Sequence, residues 1–191
     1  MNAQPSVNRE PRIYLINVGA NSRHQSLARS PLFVGQNPQR RPNFLYVPFY
    51  CLNNPKVVTK QYPTSCQSFL NPRRLGEIVK FAHPDPDWED LTYGDNCNEP
   101  RGATLKNAKV NDIFLFWGAL FENNATDWQG FTGAKGWYLF GCLRIQHILS
   151  ANSRISLLEP QDQARALRNV HFRAHTGLPP SDYVFVGQPS S

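Results

Sequence analysis

The chain lacks any run of about 18 apolar residues, so no segment is long enough to cross a bilayer as a helix. Its opening stretch, MNAQPSVNREPR, lacks the apolar segment of a secretory leader, so a cytoplasmic protein without membrane contact is expected. The four cysteines, Cys51, Cys66, Cys97 and Cys142, include no pair at the short spacing of a zinc site or redox motif. Four free thiols follow, with Cys142 expected in the core because it sits in an apolar run. No Gly-x-x-x-x-Gly-Lys-Ser/Thr loop occurs, which counts against use of a nucleoside triphosphate. Internal repeats and low-complexity tracts are missing too. Charge is sparse at 18% while aromatics reach 12%, which excludes a disordered chain. Sixteen prolines argue against a helical bundle, and 191 residues suffice for one domain with a sizeable core.

Acidic side chains are scarce in one half only. Residues 1–80 carry eleven basic and two acidic groups, a net of +9, whereas residues 81–191 carry nine basic and twelve acidic groups, a net of −3. The basic groups of the first part are mostly Arg, which suits bidentate contact with phosphate. Arg29, Arg40, Arg41, Arg73 and Arg74 are therefore candidate phosphate contacts. A plain solvated surface is the competing reading.

Residues 1–11 read as a polar tail, and residues 12–191 as one domain. Arg12–Val18 is a strand pattern rich in branched and aromatic residues, closed by Gly19-Ala20-Asn21. A basic loop over 22–42 leads to a second strand at Phe44–Tyr50, and residues 53–72, with three prolines, read as irregular. Arg73 to Phe81 fits a short helix or a strand equally. Ile113–Trp117 and Trp137–Ile145, the latter with a possible extension over 146–149, are nearly all-apolar strands around a polar loop. Gln161–Phe172 has helical spacing behind Pro160, and Tyr183–Val186 is a last strand. About five strands, one clear helix and long loops give an α+β class that is mainly β. Helices do not alternate with strands, which speaks against a doubly wound sheet.

The chemistry-bearing stretch is Ala82 to Gly102, with six acidic residues against the single basic Arg101. Asp85 and Asp87 share a face if the backbone is extended, and with His83 they form His-x-Asp-x-Asp. Such a set could hold a divalent metal or supply a general base; equally, Asp87 could cap a helical turn over Trp88–Leu91. Asp85, Asp87, Asp95 and His171 are the candidate catalytic residues, with no metal and no cofactor expected. His171 could instead end a helix, where a cation suits the dipole. Asn17, Asn21 and Arg23 cluster at the end of the first strand, where polar groups on a rigid element line a site. Tyr93 could stack on a base, a contact of about 1–3 kcal/mol in single-strand binders. Arg101 fits either a phosphate clamp or an ion pair with Asp95. Asn17, Asn21, Arg23, Tyr93, Arg101 and Asn169 complete the candidate substrate contacts.

Two resemblances add to this reading. Val110–Phe116 and Tyr138–Ile145 resemble paired segments of the small PUA-like barrels, including the EVE and ASCH relatives, which implies a small barrel or strongly bent mixed sheet with flanking helices. Trp117, Trp137, Tyr138 and Phe140 would then mostly fill its core. More extensively, IYLINVGAN (13–21), HPDPDWEDLTYGD (83–95), Pro100–Gly102, DIFLFWGAL (112–120), Gly136–Ile145 and Asn169–His171 occur in an order similar to the third nucleotide-modification-associated domain family. That resemblance spans most of residues 12–187. It implies a bacterial or phage DNA-modification or defence setting, DNA more than RNA as partner, and a polar pocket made by these motifs. It also implies a further segment beyond Gly187–Ser191, so a shortened C-terminal end is expected. The function expected is recognition or hydrolytic processing of a modified base extruded from the stack. The alternatives are a non-catalytic reader of modified bases and an enzyme acting on free modified nucleotides.

Overall fold

The computed structural model of the chain describes residues 9–19, 25–34, 43–48, 60–74, 81–173 and 177–189. Chain order gives β1 (Ile13–Asn17), β2 (Pro31–Phe33), β3 (Asn43–Phe44), β4 (Lys60–Gln61) and α1 (Thr64–Gln67). Next come β5 (Phe81–Ala82), β6 (Thr92–Asn96), β7 (Ile113–Asn123) and β8 (Phe131–Leu149). The chain ends with α2 (Pro160–Arg168), α3 (Val170–Arg173) and β9 (Asp182–Gly187). The fold is α+β and mainly β: a strongly curled, half-barrel mixed sheet with few helices. Among the described residues, no helix is long and apolar enough to cross a membrane.

The sheet is built on β7 and β8, an antiparallel pair longer than the sequence pattern suggests. The polar and glycine-rich residues between Gly118 and Gly136 were expected to form a loop. All but residues 124–130, which do form the turn, continue both strands instead, because ladder hydrogen bonds hold their backbone regardless of side-chain polarity. One edge of β7 is shared. Its first half pairs in parallel with β1, and its far end with β2, which lies inside the expected basic loop. On the other side β8 pairs with β9, and β9 with β6. The second expected strand shrinks to β3, with residues 45–48 outside any ladder and 49–50 outside the described residues. The stretch expected to be irregular contains β4 and α1.

Alternation along the strands sets the core. Phe114 and Phe116 of β7, Leu143 and Ile145 of β8, Phe185 of β9 and Tyr93 of β6 pack together with Ile16 and Val18. Their rings meet edge-on, as between Phe114 and Phe185 at 4.8 Å. Gly141 makes room for Trp88: a Cβ there would stand 2.2 Å from the indole. Exposure along β8 overturns two expectations. Cys142 lies on the outer face of β8 and is exposed, because its neighbours Leu143 and Ile145 point inward. Trp137 and Tyr138 are exposed as well, whereas Phe140 does pack against the core.

The single helix expected over 161–172 is two. Asn169 adopts extended backbone between α2 and α3, and its side chain is spent on Thr92 Oγ1 and on the His171 N–H. The α2 helix is tied down by a buried Arg165, which donates to the carbonyls of Asp90 and Gly187 and to the Asp162 carboxylate. At the opposite end Asp112, fully buried, accepts from Arg9 and from the N–H groups of Arg12 and Lys109. Burial opposes its ionisation, but those hydrogen bonds outweigh it and hold the carboxyl below its ordinary value of 3.8.

Replacing Arg165 with Met takes the guanidinium donor from two carbonyls and from Asp162 Oδ1, while Gln146 and His147 stay on Asp162 Oδ2. A stability loss of about 3–5 kcal/mol in urea unfolding is expected, and a loss within error would refute the clamp. Asp112, with its lowered folded value, contributes stability above its unfolded value and loses it as pH falls through the folded one. Asp112→Asn therefore removes part of the acid-side slope of stability against pH, a slope that stays intact if the bonds are weak.

Candidate functional site

Five short stretches of the chain, from Asn17 to His171, converge on one cleft of about 600 Å³. Asn17, Val18 and Gly19 come from the end of β1, His83 and Asp85 from the extended chain after β5, and Tyr93 to Asn96 from β6. Glu99, Pro100 and Arg101 form the opposite rim, and His171 enters from α3. The first strand delivers its polar end here because its pairing with β7 stops at Asn17 and Trp117.

At the floor stands a line of carboxylate, imidazole and carboxylate. His171 Nδ1 lies 2.8 Å from Asp182 Oδ2, and its Nε2 lies 3.2 Å from Asp85 Oδ2. The other oxygen of Asp85 accepts the Gly94 N–H at 2.8 Å. His83 Nε2 is 3.9 Å from Asp85 Oδ2, and the two imidazoles meet edge-on with centroids 5.4 Å apart. Thus His83, Asp85 and His171 each offer one donor atom, all within 4.8 Å of one another. Gly94 permits this arrangement, because a Cβ at that position would stand 2.3 Å from the His171 ring.

Burial sets the charges. It pushes Asp85 up to about 6, although the His171 hydrogen bond and charge pull the other way. It disfavours a charged His171 too, but the bonds to Asp182 and Asp85 prevail and raise the imidazole to about 10. His83 is lowered to about 3, first by burial and then by the charge of His171. Near neutral pH the floor therefore holds one imidazolium between two carboxylates, with a neutral imidazole beside them.

A second pair forms the wall. Tyr93 donates its hydroxyl to Asp95 Oδ2 at 2.7 Å, and Arg101 reaches Asp95 Oδ1 at 3.7 Å. Burial, followed by the charges of Asp95 and Asp85, lifts the Tyr93 phenol well above its ordinary value, so it stays a donor. Arg101 itself is largely exposed at the rim.

Of the residues singled out from sequence, Asp85, Asp95, His171, Asn17, Tyr93 and Arg101 all line this cleft. Asp87 turns away: its Oδ1 accepts from the N–H groups of Glu89 and Asp90, and its backbone bridges Thr92, so it shapes the turn at 88–91. Asn169 is fully buried behind His171 and holds it. Arg29 lies over the rings of Trp128, Phe121 and Phe131, and Arg73 and Arg74 sit in a 3-10 turn beside Ser26 and Asn71; none of the three lines the cleft. Asn21, Arg23, Arg40 and Arg41 lie outside the described residues. Sequence reasoning assigned no role to Asp182, which begins the last strand, or to Glu99. The adjacency of Ser181-Asp182 to an apolar strand was the only available signal.

A family model described as nucleotide modification associated domain 3 matches residues 12–189, which take in β1 to β9. The chain belongs to the family of nucleotide modification associated domain 3. Membership ties it to a modification-related role. No curated protein and no solved structure matches the chain.

Gly94→Ala forces the His171 ring off its present place. The expected outcome is a stability loss of about 1–3 kcal/mol and displaced imidazole NMR signals for His171, with those of the distant His147 unchanged. Unmoved His171 signals would show that the ring does not lie against Gly94.

Proposed function

We propose that this cleft receives a modified nucleobase and processes it by hydrolysis, with the His83–Asp85–His171 floor as the water-activating centre. The observation that carries the reading is the Asp85–His171–Asp182 line at the bottom of a cleft whose wall offers Tyr93, Asp95 and Arg101. Its size suits a small ligand. Its charge favours a base over a phosphate group: Asp85, Asp95 and Glu99 line it, with Arg101 and the two histidines as the cationic or titratable counterparts. A sugar-phosphate chain would then stay outside, at the rim where Arg101 is exposed.

Family membership supports a nucleic-acid partner, and the Arg-rich first part of the chain suits DNA bound with its target base out of the stack. In the hydrolysis, the oxygen of water bonds to the carbon carrying the modification or the base. The bond from that carbon to its leaving group breaks, and the proton lost by water passes through the floor to the leaving group. Asn169 and Asp182 are positioning residues, acting through His171.

Incubation with unmodified DNA, hypermodified phage DNA and the matching free modified nucleotides, followed by mass analysis of released bases and nucleosides, tests the reading. Release from the modified DNA is expected, lowered about 10²–10⁴-fold in Asp85→Asn under conditions where its melt shows a folded chain. Bound but unaltered modified DNA would replace hydrolysis with a reader. Release from free nucleotides alone, with binding insensitive to salt, would remove DNA as the partner.

A further inference from the structure

We propose that His83 Nε2, Asp85 Oδ2 and His171 Nε2 form a binding site for one divalent transition-metal ion, of the zinc or cobalt class. Two ligands each about 2.1 Å from a single ion stand roughly 3.0–4.2 Å apart for angles from 90° to 180°. The pairs here are 3.2 Å for His171 with Asp85 and 3.9 Å for His83 with Asp85, and all three atoms fall within 4.8 Å. At tetrahedral angles the ligands would stand about 3.4 Å apart, so His83 closes the set by moving up to roughly 1.4 Å toward His171.

The surroundings of each donor fit a ligand. Asp85 has one oxygen fixed by the Gly94 N–H, which leaves Oδ2 aimed at the imidazoles as a monodentate ligand. His171 gives its Nδ1–H to Asp182, which fixes the tautomer; an ion would displace the proton that Nε2 now shares with Asp85 Oδ2 and take the lone pair left there. Asp182 is held in turn by the Ser181 hydroxyl at 3.0 Å, and the His171 backbone N–H is held by Asn169. Two imidazoles with one carboxylate favour a borderline transition ion over magnesium or calcium, which prefer oxygen donors. All three ligands line the cleft, so the remaining coordination positions face the ligand space, as a catalytic rather than a closed structural site requires. The third ligand comes from α3, 86 residues from Asp85, whereas Asp87, next in the His-x-Asp-x-Asp run, is committed to the turn.

The part such an ion plays in catalysis rests on the hydrolytic reading, but its binding does not. An ion here would carry the attacking water and lower the cost of its deprotonation.

The test uses the untagged full chain, stripped with a chelator and titrated with Zn²⁺ by calorimetry and with Co²⁺ by visible ligand-field absorption. One equivalent per chain is expected, with Mg²⁺ at the same concentration displacing neither ion. His83→Gln and His171→Gln should each weaken binding more than about 100-fold, and Asp182→Asn about 10–100-fold, all with melts that show a folded chain. Absence of stoichiometric binding by the folded wild type, displacement by Mg²⁺, or Zn²⁺ affinity unchanged in His83→Gln and His171→Gln would each overturn the site. Stoichiometric Zn²⁺ binding without base release would uphold the site and remove the hydrolytic reading. Base release by chelated protein that takes up no Zn²⁺ would do the reverse.

Discussion

The antiparallel ladder between β7 and β8 is the constraint on which the seven-stranded sheet depends. Nearly every residue from Ile113 to Asn123 is paired across it. The length of β7 lets one edge carry two short strands, β1 and β2, neither of which could stand alone as a two- or three-strand unit. The opposite side passes the sheet on through β9 to β6. Register shifts at Phe116/Trp117 and Phe121/Asn123 add local twist, and the sheet curls into a half-barrel. Curling brings the end of β1, at one margin of the sheet, toward β6 at the other, and the cleft is the space between them.

Electrostatics at the cleft floor follow from that closure. Asp85 is buried against the sheet and would be costly to ionise alone. Pairing with His171 and the Gly94 N–H offsets this, and Asp182 on the far side of the imidazole makes the arrangement a chain of charged groups and not an isolated pair. Each member is held by backbone or by a buried side chain, so the floor is preorganised before any ligand enters. The small helix that carries His171 is correspondingly dependent on tertiary contact: four residues cannot be stable by themselves.

Much of the core was legible because its period is simple. Strands at Arg12–Val18, Ile113–Trp117, Trp137–Ile145 and Tyr183–Val186 announced themselves through branched and aromatic residues, and each is present within a longer or similar span. The strand β6 was not, since Thr-Tyr-Gly-Asp-Asn carries polar groups that read as a loop. It is a strand because β9 offers it a complete ladder. The acidic stretch drew attention to the right place, but spacing alone paired Asp85 with Asp87. Extended backbone would have put both on one face; the turn at 88–91 separates them.

The sequence by itself determined the inventory: a sheet-forming apolar set, a chemically dense segment from His83 to Arg101, a family match over residues 12–189, and the lack of any apolar run of membrane length. Only the tertiary structure decided which of those polar groups act together. His171 and Asp182 join Asp85 because curling of the sheet and the break at Asn169 place three remote segments within hydrogen-bond distance. Local period and propensity act over a few residues, whereas a buried charge network is selected by desolvation, which exists only once the chain has closed around it.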